Sequence, residues 1–230
     1  MVVCPHETFD ERGHARRVWP ETRWYRQNGE QKKNAAVLRL IEGDCVLNIM
    51  CGKLIRRALV EREHIRLVSG VKMAEDALFN LETVLCARNI AYVHHIAYRY
   101  RIHSASATGS RRNSEWEAHL PWLVAMRNML ARRGELERYY APLLNSFALR
   151  LYKDGGIGGV VREFNTKVKP YLALDGLTRA KMTPYGRVVW ALCRRGRYPT
   201  AYPLIAVVQM MKRKCGEAAF ALRAEREKPQ

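Results

Sequence analysis

The chain has 230 residues, 48% of them hydrophobic, which is enough to bury a core and excludes a disordered polymer. Lys and Arg number 40 against 22 Asp and Glu, a net charge of +18, so an anionic partner is expected: a phosphorylated substrate, an anionic lipid or nucleic acid. The six cysteines, at positions 4, 45, 51, 86, 193 and 215, include no Cys-x-x-Cys pair, which argues against a secreted disulfide framework and for reduced thiols used in packing.

From the start of the chain, Val2 to Thr8 reads as a strand that ends in the turn-like Asp10-Glu-Arg-Gly13. The opening Met1-Val-Val-Cys-Pro-His-Glu7 has no basic region followed by a long apolar run. No stretch reaches the roughly 18 apolar residues of a membrane span. The expected location is cytoplasmic, or peripheral on the cytoplasmic face of a membrane. Trp19 to Gln27 carries aromatic residues and closes on Asn28-Gly29, a strong turn signal. Short helical pieces follow at Asn34 to Ile41 and Cys45 to Leu54, flanking Gly43 and Gly52. A short helix is expected at Arg56 to Glu63 and a short strand at Ile65 to Val68. Met73 to Ala87 is the clearest helix of this half, because Leu78, Leu81, Val84 and Leu85 gather on one side. Strands are expected at Ile90 to Val93 and Ile96 to Arg101. His94 and His95 stand between them, and adjacent histidines on a strand point to opposite faces and cannot easily share a metal ion.

After Gly109 the pattern turns helical. Ser114 can cap a helix that runs to Arg133 and stops at Gly134. Glu135 to Lys153 forms another, stopped by Asp154-Gly-Gly156, and Val160 to Val168 a third. Thr183-Pro184 opens a helix to Arg195, and a last one, kinked at Pro203, runs to Lys214. The organisation expected is an α/β region over residues 1–108 and a helical region over 109–230. Between Gly176 and Gly216 no residue is acidic, while nine are Lys or Arg and alternate with the apolar runs Val188 to Cys193 and Leu204 to Val208. Such a composition suits an amphipathic element on an anionic membrane surface, and equally a solvated basic face on ordinary helices.

The most informative text lies between these regions. Glu75-Asp76 opens the apolar helix, a β-like run follows, and Tyr98-Arg-Tyr-Arg-Ile-His-Ser-Ala-Ser-Ala-Thr108 closes the α/β part. That order sets a carboxylate and a group of anion-binding side chains at neighbouring ends of one α/β unit, as deprotonation of a hydroxyl beside a phosphorylated leaving group requires. On its own a Glu-Asp pair is more often a device that favours a helix N-terminus through the macrodipole. Together with Cys51-Gly-Lys-Leu-Ile-Arg-Arg57, Ile65-Arg-Leu67 and Gly70, the passage resembles the second half of family-two glycosyltransferases of the GT-A type.

The resemblance implies a partial GT-A-like mixed sheet followed by an α-helical C-terminal region. It implies inverting sugar transfer from a nucleotide-sugar donor to a glycan or lipid-linked acceptor in cell-surface polysaccharide synthesis. Asp76 would be the catalytic base, with Glu75 beside it, Lys53 at the family's Lys-Leu position, and Arg101, His103, Ser106 and Thr108 holding the diphosphate. The complete family enzyme uses Mn or Mg on an Asp-x-Asp motif. This chain has five aspartates, at 10, 44, 76, 154 and 175, and no two have that spacing, so no metal and no cofactor is expected in it. The resemblance covers residues 1–108 well and the helical remainder loosely and lacks the nucleotide-binding half, which implies a truncated gene product, a wrongly placed start, or half of a split enzyme whose other half acts in trans. A nucleic-acid-binding protein is the rival from another class, but zinc-finger spacing, an RNP-type motif and a clear helix-turn-helix are all missing from the sequence. A third reading is a non-catalytic remnant that binds only membrane or partner.

Overall fold

The computed structural model describes residues 1–20, 24–71, 74–102 and 116–140, with 142, 143, 146, 184, 187, 188, 191 and 192. The strand expected at the start is two strands, β1 (Val2–Val3) and β2 (His6–Phe9). Pro5, which has no N–H to give a ladder, stands in the break between them. Then come β3 (Ala15–Val18), a 3-10 turn at Trp24–Arg26, α1 (Gly29–Glu42), α2 (Cys45–Asn48), β4 (Lys53–Leu54) and α3 (Arg57–Arg62). After these follow α4 (Glu75–Cys86), β5 (Ala91–Tyr92), β6 (Tyr98–Arg101) and α5 (Trp116–Arg132). Residues 136–140 are helical again. Three sequence expectations fail. The helical piece expected over Cys45 to Leu54 ends at Asn48, and Lys53–Leu54 is the strand β4. Asn28-Gly29 is not a hairpin turn: extended Asn28 precedes Gly29, the first residue of α1. Ile65 to Val68 forms no strand, since His64 turns left-handed at φ 52° and Leu67 is left exposed with no neighbouring strand.

The strands make two small mixed sheets with helices beside them, an α/β arrangement. The inner sheet has the order β4-β1-β5, with β4 antiparallel and β5 parallel to β1. The outer sheet has the order β3-β2-β6, again one antiparallel and one parallel pairing. In the inner sheet Val3 pairs with Lys53 on one side and Tyr92 on the other, so these three side chains share a face. That face meets the helices. The opposite row is Val2, Leu54 and Ala91, and Leu54 is 71% exposed.

The core lies between the inner sheet, α1 and α4. Ala36, Val37, Leu40 and Ile41 bury one face of α1, and Ala77, Leu78, Leu81 and Val84 one face of α4. The chain leaves α1 through Gly43 at φ 95°, where N–H groups of Gly43 and Asp44 satisfy the last carbonyls of the helix. The boundary expected near 109 falls among residues outside the described set. Across it the core is continuous: Trp122, Leu123, Met126 and Leu130 of α5 join the cluster that holds Val3 and Leu40. Polar contacts add to this join. Arg133 reaches Glu82 at 3.2 Å and Glu63 at 3.4 Å, and the Tyr139 hydroxyl donates to Asn34 at 2.6 Å. The Ser146 hydroxyl donates to the Ile41 carbonyl at 2.6 Å.

Candidate active site

Three chain directions converge at one edge of the inner sheet. β1 and β5 run parallel, so their carboxyl ends share that edge, and antiparallel β4 begins there with Lys53. Residues 87–90 reverse the chain between α4 and β5, which returns the N-terminus of α4 to the same edge. The carboxyl edge of a parallel strand pair is where α/β proteins bind ligands. Asp76 and Lys53 therefore come within electrostatic reach of each other although 23 positions separate them in sequence.

Asp76 occupies the first turn of α4, half-buried. Its Oδ1 accepts from the Ala77 N–H at 2.8 Å, and the Met50 N–H also donates to the carboxylate. A helix N-terminus favours a negative charge. Burial outweighs that here and pushes the Asp76 pKa above the usual carboxylate value, with the neighbouring Glu75 charge adding to the rise. The Lys53 ammonium acts in the other direction and keeps the charged form within reach.

Lys53 is the better buried partner. Its Nζ donates to the carbonyls of Val46, at 2.8 Å, and Ile49. Burial lowers its pKa to about 8, and the carboxylates of Asp76 and then Asp44 oppose the fall. Asp44 caps α2, its Oδ1 accepting from Val46 and Leu47 N–H, both at 2.9 Å. Asn80, fully buried on α4, donates through Nδ2 to the Leu47 carbonyl at 2.9 Å, the Asn48 carbonyl at 3.3 Å and the Ile49 carbonyl at 2.9 Å. These bonds pin the α2–β4 loop to the helix that carries Asp76. Gly52 in this loop has φ 68°, and a Cβ there would stand 3.0 Å from the Cys4 carbonyl oxygen, so only glycine fits the approach of loop to β1.

His6 and Tyr98 complete the surroundings. The His6 imidazole is buried, and burial first and the Lys53 charge second lower its pKa. Its Nδ1 has no hydrogen-bond partner among the described residues. Tyr98 opens β6 opposite His6, and a hydrogen bond to the Cys51 side chain pushes its pKa up. Neither His6, Asp44 nor Asn80 stands out in the sequence as a site residue. Asn80 alone leaves a sign, a polar residue inside the apolar stripe of α4.

The expected site residues divide. Lys53, Glu75 and Asp76 come together. Arg101 does not join them: it is exposed at the far end of β6, three residues or about 10 Å beyond Tyr98 and on the other face of the strand. His103, Ser106 and Thr108 lie outside the described residues. The Met50 N–H donates to the Asp76 carboxylate, and the Lys53 charge acts on it from within electrostatic reach. Among the described residues no three His, Cys, Asp or Glu side chains gather as metal ligands. None of the helices formed by described residues is long and apolar enough to cross a membrane. The chain matches no protein-family model, no curated protein and no solved structure.

Proposed function

We propose that the chain supplies the acceptor side of an inverting glycosyltransferase, with Asp76 as the base. The observation that carries the reading is the half-buried Asp76 within electrostatic reach of Lys53 at the carboxyl edge of β1 and β5. An acceptor hydroxyl attacking an anomeric carbon must lose its proton, and a carboxylate with a raised pKa takes it more readily than an ordinary one. Lys53 keeps Asp76 ionised before the proton arrives. As the proton moves onto Asp76, the lowered amine pKa limits the cost of the ammonium left behind. Burial raises the Asp76 pKa, and the Glu75 charge adds to the rise. The donor nucleotide-sugar, with its metal, would be held by an Asp-x-Asp-bearing half acting in trans, and His103, Ser106 and Thr108 belong to the proposal as groups that meet the diphosphate. The basic residues 179–214 would dock the protein on an anionic leaflet, where a lipid-linked acceptor resides; each juxtamembrane basic residue contributes about 1 kcal/mol.

The test uses the host strain with the gene deleted and restored. Sugar incorporation into membrane glycan should return with the wild-type gene and with Asp10→Asn. It should fall by about a hundredfold or more with Asp76→Asn. Unchanged glycan in the deletion strain overturns the transfer reading, and full incorporation by Asp76→Asn overturns the base.

A further inference from the structure

Trp24, Tyr25, Tyr92, His94 and Trp19 form a ladder of rings that climbs from the core to the solvent. Trp24 is buried at the bottom and meets Tyr25 and Tyr92 edge-on, with centroids 6.0 and 6.1 Å away. Tyr25 stacks flat on Tyr92 at 4.1 Å, and both are half-buried. Exposed His94 sets its ring at right angles to both tyrosines, at 5.9 and 5.3 Å. Trp19 leans on His94 at 4.9 Å and is 39% exposed.

Scattered surface rings need no explanation, but this ladder is placed. Tyr92 shares the row of Lys53 and Val3 across the inner sheet, two strand spacings or about 10 Å from Lys53. His94 and Trp19 continue outward from Tyr92 along the carboxyl edge that holds Asp76. The Asp44 carboxylate lies within electrostatic reach of both the Lys53 amine and the Tyr92 hydroxyl, which ties the ladder to the site.

A pyranose ring has faces of C–H bonds and a rim of hydroxyls. The C–H faces suit an aromatic face, whose quadrupole is negative at its centre. The rim needs donors and acceptors, and the Tyr25 hydroxyl and His94 Nε2, 3.5 Å apart, offer both. The ladder carries no fixed charge of its own, which selects a neutral ring over a phosphate. We propose that Trp19, Tyr25 and His94 form a stacking subsite for a sugar of the acceptor glycan, one further along the chain than the sugar whose hydroxyl meets Asp76. The subsite rests on the sugar-transfer reading and adds where the acceptor lies.

Proton–nitrogen correlation spectra of the full chain test it, with the Trp19 indole signal identified by its loss in Trp19→Phe. The probes are cellobiose, chitobiose, maltose and lactose. At least one should shift that signal and the His94 backbone N–H signal saturably, and Trp19→Ala, followed on the His94 backbone, and His94→Ala, followed on the Trp19 indole, should each weaken its binding about tenfold, the loss of one ring contact. Both residues are exposed, so the variants keep the fold, and unchanged dispersion of the remaining signals verifies this. No shift of the Trp19 signal with any probe, or wild-type affinity retained in both variants, overturns the subsite. Sugar incorporation in cells separates this from the transfer reading. Stacking without chain-dependent incorporation breaks the transfer reading alone, whereas incorporation that survives the double variant at the same acceptor concentration breaks the subsite alone.

Discussion

The inner sheet has strands of two residues and the outer sheet mostly exposed strands of four, yet the shorter ladder anchors the molecule. Its central Val3 is fully buried against the helices, while Ala15, Arg16, Arg17, Tyr98, Arg99 and Arg101 of the outer sheet are exposed. Both sheets take their middle strand from one run of chain, broken at Cys4 and Pro5. Burial against α1 and α4, not the number of ladder hydrogen bonds, commits a strand to the core here. The candidate site follows the buried sheet, and a base that must be held to a fraction of an ångström belongs there.

The comparison breaks most directly in the core. Leu78→Ala, under the inner sheet, should lower unfolding free energy by about 2–5 kcal/mol, and Arg16→Ala on the outer sheet should change it by less than about 0.5 kcal/mol, both read by denaturant titration. Similar losses in the two variants would mean that the sheets are equally committed to stability.

A sharper version uses pH. Burial holds the Lys53 pKa at about 8 against 10.5 for an ordinary lysine. The unfolded chain therefore takes up this proton first as pH falls, and stability is lost from pH 10.5 down to 8. Read upward, the wild type regains stability over the same window. Measured against Lys53→Met, the gain between pH 7 and pH 10 should be on the order of 2 kcal/mol. Asp76 runs the opposite way: its raised pKa contributes stability in acid that fades as pH rises through that raised value. A flat difference between the two proteins from pH 7 to 10 would show that Lys53 is better solvated than its carbonyl partners suggest.

Asn80→Ala should come next. Three carbonyls of the α2–β4 loop lose their shared donor, at about 1.5 kcal/mol, and the incorporation assay should fall with it because the loop positions Lys53. The smallest effect belongs to the outer sheet, where Arg99→Ala removes the 2.8 Å pair with Glu7 and the contact 4.8 Å over the Phe9 ring. The pair is exposed on the arginine side, so at most about 1 kcal/mol should be lost, shrinking further in salt.

Periodicity made α4 legible, since an apolar stripe repeats there over three turns, and α3, β5 and β6 were legible from their order between glycines and charges. The start of α1 was not. Asn-Gly serves a hairpin or a helix N-terminus equally well, and only the apolar face of α1 against α4 decides between them. Ile65 to Val68 has strand composition, but Ile65 is the buried anchor of a coil, its N–H donating to the Val60 carbonyl at 3.0 Å. In the site, Asp76 and Lys53 were legible as separate residues through family-like spacing. Their approach, the burial that moves both pKa values, and the neighbours His6, Asp44 and Asn80 arise only when β4 and β5 align on either side of β1. Arg101, three residues beyond Tyr98, falls on the other face of β6, as strand alternation alone requires.

The bonds from Tyr139 to Asn34 and from Ser146 to Ile41 each span 105 residues. During synthesis at 5–20 residues per second, α1 emerges from the ribosome about 5 to 20 s before the helices that cover it. Over that interval its apolar face has only α4 for shelter, and then not at first. We expect nascent chains stalled near residue 105 to be cut by protease within α1 and those stalled past 190 to be protected there; equal protection at both lengths would show that α1 and α4 close on each other without the later helices.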